Sequence, residues 1–198
     1  SLGHFCGNYA FYFVISWLPL YLVKSRGFSV GQMAQLGGLI YLVYAASTMV
    51  TGWLSDRWMA AGASANTVRK TLAVIGPVGV ALAMAGCAVG DRTVAVFCLF
   101  AAGVAFGFGT PNVFAIAQIV AGPRATGKFV GIQNFFGSVA GIAASILTGV
   151  IVDATGNFVA AFALAGGVSL VGILGWVAMI PRIAPVAWPD PIARATAP

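Results

Sequence analysis

The fold class this sequence predicts is an all-α integral membrane protein, six transmembrane helices arranged as two inverted three-helix repeats. Three observations predict it. Of the 198 residues, 60% are hydrophobic and only 7% are charged, against roughly 25% charged in an average soluble domain, and the mean hydropathy is +0.97. Charge-free stretches at residues 2–23, 33–54, 71–89, 93–120, 129–152 and 158–180 each approach the roughly 20 residues that a helical crossing needs, and continuous apolar runs of that length exclude a transmembrane β-barrel. Finally, Thr-Gly-x-x-x-Asp closes the second stretch at Thr51–Asp56 and the fifth at Thr148–Asp153. Each copy ends the middle helix of a three-helix unit, and because three is odd the second unit starts on the opposite side of the membrane.

The first stretch carries His4, Asn8, Tyr12 and Ser16 at intervals of four, a polar stripe down one helical face. Asn8 and Tyr12 near mid-depth either line a cavity or hydrogen-bond between helices, since polar groups there need a partner. His4 is the lone histidine, with a hydrogen-bonding role or a proton-pathway role open to it. Trp17 and Tyr21 read as an interfacial belt, and Pro19 is placed to bend or end the helix.

The short loop after residue 23 returns the second stretch antiparallel beside the first. Its face reads Gly37, Tyr41, Tyr44, Thr48, Thr51, the tyrosines serving packing. It ends in Gly52-Trp-Leu-Ser-Asp56-Arg57, where a glycine permits close helix contact and a carboxylate at the membrane edge can cap a helix or pair with arginine. Gly52, Asp56 and Arg57 are thus candidates for a conformational loop.

The third stretch suggests no chemistry. The fourth has Gly103, Gly107, Gly109 and Pro111 in its middle, which predicts a broken helix and makes the following Asn112 a candidate cavity contact, with a plain kink as the other reading. Residues 121–128 are expected to form a loop. The fifth stretch organises the whole: Asn134, Ser138, Gly141, Ser145 and Thr148 form a polar, glycine-edged face that must meet protein or a watery cavity. The sixth packs or faces lipid, with Ser169 its one buried polar group.

Two segments follow: residues 1–180 as the bundle, and residues 181–198 as a flexible proline-rich cytoplasmic tail. Both ends fall on one side, with Arg57, Arg69, Lys70, Arg124, Lys128, Arg182 and Arg194 against Lys24, Arg26 and Arg92 opposite. That excess makes it the cytoplasmic side of an inner (plasma) membrane. The +6 net charge is spread over short loops and forms no stripe, which excludes nucleic acid. Cys6, Cys87 and Cys98 lack ligand spacing and read as packing residues, so no metal or cofactor is expected. No acidic pair, HExxH or clustered nucleophile and base lies at membrane depth, which argues against an enzyme and against any catalytic residue.

The motifs Ser16-Trp-Leu-Pro-Leu-Tyr-Leu22, Gly52-Trp-Leu-Ser-Asp-Arg57 with Val68-Arg-Lys-Thr71, and Gly131-Ile-Gln-Asn-Phe135 with Ala140-Gly-Ile142 and Thr148-Gly149 resemble those of the major facilitator superfamily. The resemblance is to the C-terminal half of a twelve-helix carrier of the anion:cation symporter branch. It implies that the six stretches are helices seven to twelve, that substrate binds at mid-membrane between two halves, and that the N-terminal half is missing. It also implies a small organic anion such as a sugar acid or dicarboxylate, moved with H+ by alternating access, with His4 and Asn134 towards the substrate. Gly137-Ser138 departs from the Gly-Asn of many members. Asn134, Gln133, Asn8, Tyr12, His4 and Asn112 are the expected substrate-binding set. The alternative is a complete six-helix protein acting as a homodimeric carrier or passive channel.

Overall fold

The computed structural model describes residues 1–188; Arg194 and the prolines at 189, 191 and 198 lie outside the described residues. Five helices form: α1 (Leu2–Leu20), α2 (Val30–Ala60), α3 (Ala65–Val89), α4 (Arg92–Thr155) and α5 (Val159–Val177). All five are long and apolar enough to cross a membrane. Their starts are written in polar residues ahead of apolar runs. Ser29 caps α2 in a capping box with Gln32, Ser64 Oγ accepts from the Thr67 amide, and Asp91 accepts from the amides of Thr93 and Val94, filling donors that no helical carbonyl reaches. Past Pro19, α1 does not stop but widens into a π-helical turn, Tyr21–Ser25.

At 64 residues, α4 would span roughly 96 Å as a straight rod, three times a hydrocarbon core. It is not straight. Gly122 has φ 61° and ψ 178°, a backbone region open almost only to glycine, and Pro123 follows it as a helix-starting residue. The contacts of α1 show what the break does. On the first arm of α4, residues 92–121, His4 meets Phe114 and Phe11 meets Phe106, so that arm runs antiparallel to α1. On the second arm, residues 123–155, Asn8 meets Gly137 and Ser16 meets Ser145, so that arm runs parallel. The chain therefore reverses at Gly122.

Three expectations are corrected here. Residues 121–128 are not a loop, because helix resumes at once after a one-residue break. The fourth stretch is unbroken through Gly103, Gly107, Gly109 and Pro111, since only Gly122 departs from helical angles inside α4. Two of the glycines serve packing instead: Gly103 lies under Ile40 and Gly107 under Ser47 of α2. Within the same pattern Ser47 Oγ donates to the Val104 carbonyl at 2.8 Å. Accordingly α2 packs chiefly on α4 and touches α1 only slightly, which also revises its expected place beside α1.

The core centres on α1, α3, α5 and the first arm of α4, with Tyr9, Phe13, Met84, Leu99 and Phe162 buried in it. Cys6 and Cys87 are buried there as small apolar residues. Tyr21 is not part of an interfacial belt. It is 2% exposed, its hydroxyl donates to the Cys87 carbonyl at 2.8 Å and accepts from Arg26 Nε at 2.7 Å. Residues 181–188 run back over α3 and α4. Ile183 N donates to Asn66 Oδ1, Val186 N to the Val120 carbonyl and the Trp188 indole to the Ala121 carbonyl. The last two bonds fall on carbonyls just ahead of the reversal at Gly122.

Gly122→Ala is expected to lower stability by about 1–3 kcal/mol, the cost of holding a side chain in that region. Gly127→Ala, at a helical site with open space around it, is expected to be neutral or slightly stabilising. Thermal unfolding of the two variants in the same detergent checks both.

Candidate functional site

The polar stripe of α1 is fitted to the second arm of α4 level by level. Asn8 Nδ2 donates to the Gly137 carbonyl at 3.0 Å. The Tyr12 ring lies over Gly141, and the hydroxyls of Ser16 and Ser145 are 3.3 Å apart. A Cβ on Gly137 would stand 2.9 Å from His4 Nε2 and 3.0 Å from Asn8 Nδ2, so only glycine lets α1 lie this close. Tyr12 and Ser16 thus join helices; Thr148 on the same stripe is buried, whereas Ser138 is exposed.

Above this seam lies a cavity of about 190 Å³. His4, Asn8 and Phe11 of α1 face it, with Tyr44 of α2, Pro77 and Val80 of α3, Thr110 and Phe114 of the first arm of α4, Asn134 of the second arm, and Ser169 of α5. No charged side chain is among these residues. It is an uncharged chamber of amides, hydroxyls and aromatic faces, able to hydrogen-bond a polar solute and to stack against its C–H faces.

Of the six expected residues, three are brought together here: His4, Asn8 and Asn134. His4 is 5% exposed and meets Phe114 edge-on at 5.8 Å. The other three are elsewhere. Gln133, one position round the helix from Asn134, lines a separate apolar cavity of about 220 Å³ with Trp176 and Phe129. Tyr12 is in the seam. Asn112 is 2% exposed and donates to the Arg69 carbonyl at 2.8 Å, tying the first arm of α4 to α3. Its assignment as a contact beyond a helix break fails because there is no break at that point.

The structure also supplies lining residues that sequence reasoning does not assign to a site, Tyr44 and Ser169 being read there as packing residues. Tyr44 and Thr110 share a hydrogen bond of 2.8 Å, and Ser169 Oγ reaches the Pro77 carbonyl at 3.4 Å. The signal available for them was the one that singled out Asn8: a polar group at mid-span needs a partner.

At the expected conformational loop, Gly52 has nothing within 4 Å of a would-be Cβ, so it is not a close helix contact. Asp56 is exposed one turn before the end of α2, and the Arg57 guanidinium lies 5.0 Å from the Trp53 ring centroid. The buried cation nearby is Arg69, whose Nη1 donates to Ser55 Oγ at 3.3 Å.

Asn112→Ala is expected to cost about 1–3 kcal/mol, a buried hydrogen bond with its desolvated partner. Asn134→Ala, at an exposed position, is expected to stay within about 0.5 kcal/mol of the unsubstituted chain. Chemical denaturation of both variants separates the structural asparagine from the cavity one.

The sequence profile described as Major Facilitator Superfamily matches residues 1–197. Among curated proteins, the chain is 31% identical to the hexuronate transporter of Bacillus subtilis (strain 168), over 86% of this chain and 41% of that protein. It is 28% identical to the chloroplastic ascorbate transporter of Arabidopsis thaliana, covering 88% of this chain and 32% of that one. It is also 28% identical to the probable galactarate/D-glucarate transporter of Escherichia coli (strain K12), covering 90% and 40%. The chain spans about a third to two-fifths of the length of these relatives. With its apolar helices packed around an uncharged chamber, this chain belongs to the Major Facilitator Superfamily.

Proposed function

We propose that this chain is one of the two bundles of a secondary active carrier that moves a small organic anion of the sugar-acid type across the inner membrane, coupled to H+, by alternating access. The cavity carries the reading. Its wall is built by every helix of the bundle and bears hydrogen-bonding groups without fixed charge. At about 190 Å³ it is smaller than the roughly 300–1,000 Å³ of a complete ligand pocket, which fits one wall of a site closed by a second bundle.

In this reading the two arms of α4 are separate crossings, so that six helices cross in alternating directions as two inverted three-helix units with both ends cytoplasmic. The second bundle covers α2 and the second arm of α4. Both carry large apolar side chains turned outward, Leu42, Met49 and Val50 on one and Phe135, Ile142 and Ile146 on the other. His4, Asn8 and Asn134 contact the cargo. With no cation in this wall, the charge that holds the carboxylate belongs to the facing bundle. Asp56 and Arg57 make and break contacts at the cytoplasmic edge as the bundles rock.

Reconstituted alone in liposomes, the chain is expected to show no uphill uptake of glucuronate. Supplied together with the preceding half, it is expected to accumulate glucuronate under an inward proton gradient. Uptake by the chain alone would favour the homodimeric carrier or channel instead. In the complete carrier Asn134→Ala is expected to raise the glucuronate KM by about tenfold, the worth of one hydrogen bond to a charged or polar solute; an unaltered KM removes Asn134 from the site.

A further inference from the structure

The pair Tyr44–Thr110 gives the cavity a direction. The two oxygens are 2.8 Å apart, and Thr110 Oγ1 lies 3.2 Å from the Phe106 carbonyl one turn back. A carbonyl can only accept, so the single hydroxyl proton of Thr110 goes to it. Tyr44 must then donate to Thr110, which is also the direction chemistry favours, because a phenol is a stronger acid and a poorer acceptor than an aliphatic hydroxyl. With its proton committed, the Tyr44 oxygen offers the cavity lone pairs only. Phe11, 5.3 Å from the Tyr44 ring, and Phe106 beyond it supply no donor.

The side formed by α1 and the second arm of α4 differs. There the amides of Asn8 and Asn134 carry N–H groups. Asn8 uses one of its two on Gly137 and keeps the other. One side of the chamber thus donates, and at Tyr44 the side formed by α2 and the first arm accepts.

We infer that the cavity selects a sugar acid with a single carboxylate and seats it with the hydroxylated end at Tyr44 and Thr110. This rests on the sugar-acid reading above and narrows it. A hydroxyl donates into the Tyr44 oxygen. A second carboxylate placed there would set acceptor against acceptor, an unpaired charge in a desolvated site, and sites built to hydrogen-bond one group reject its mismatched analogue strongly. Hexuronates and glucarates, both named among the relatives, differ in this respect, having one carboxylate and two.

The test is competition against labelled glucuronate uptake in the complete carrier, using three compounds that differ only at C6: gluconate with a hydroxyl, 6-deoxygluconate with a methyl, and glucarate with a carboxylate. Gluconate is expected to compete about tenfold better than either of the others, the equivalent of one hydrogen bond. Tyr44→Phe is expected to abolish the advantage of gluconate over 6-deoxygluconate while leaving the latter within twofold. Thr110→Val removes the acceptor for the phenol, which frees the Tyr44 proton to face the cavity, and is expected to improve glucarate severalfold. This gain cannot come from misfolding. Equal competition by the three compounds in the unsubstituted carrier, or an equal loss for all three in Tyr44→Phe, overturns the inference. If the unsubstituted carrier takes up no glucuronate at all, the sugar-acid reading itself falls and this one with it.

Discussion

A helix that carries an amide, a phenol and a hydroxyl down one edge cannot rest that edge on hydrocarbon, and α1 resolves the conflict by laying it along the glycine edge of the second arm of α4. Asn8 on Gly137, Tyr12 on Gly141 and Ser16 on Ser145 hold two parallel helices at one register. The rest of the molecule follows from that register. Parallel neighbours need an intervening helix to carry the chain back, and Gly122 provides the reversal. The cavity opens where the seam runs out towards His4, and its lining is what the remaining helices turn towards that opening.

Much of this was legible because the solvent is simple. In a bilayer every backbone group must be satisfied within the chain, so long charge-free runs dictate helices, and polar residues at steps of four announce faces that avoid lipid. What the steps do not disclose is which partner each polar group finds. Asn8, Tyr12 and Ser16 are equivalent as a pattern and all three fasten helices, yet only Asn8 also reaches the cavity. Gln133 and Asn134 are neighbours in the chain, but about 100° of helical rotation sends them into different cavities. Glycine and proline were also ambiguous. Gly107, Gly109 and Pro111 read like a break, while the actual break is at Gly122: at Gly103 and Gly107 the missing side chains admit α2, whereas at Gly122 the backbone itself needs a positive φ.

The absence of charge in the cavity wall shapes how such a wall can work. A neutral set of donors and acceptors reads the positions of hydroxyls and contributes little long-range attraction, so capture of an anion depends on what faces it. The Tyr44–Thr110 pair is informative in the same spirit. The sequence does not disclose that the two hydroxyls meet; the nearby Phe106 carbonyl, by taking the Thr110 proton, agrees with the greater acidity of the phenol in leaving the Tyr44 oxygen as the acceptor.

The lightness with which α2 is held has a practical consequence. Ile40 over Gly103, Ser47 on Val104 and Tyr44 on Thr110 are among the few ties between it and the bundle, and its outward side chains rely on whatever surrounds them. Solubilised material stripped of lipid will loosen along this helix first. Purification of the chain thus calls for short-tailed detergent to be avoided and for annular lipid to be retained, if the wall that α2 contributes is to survive into the cuvette.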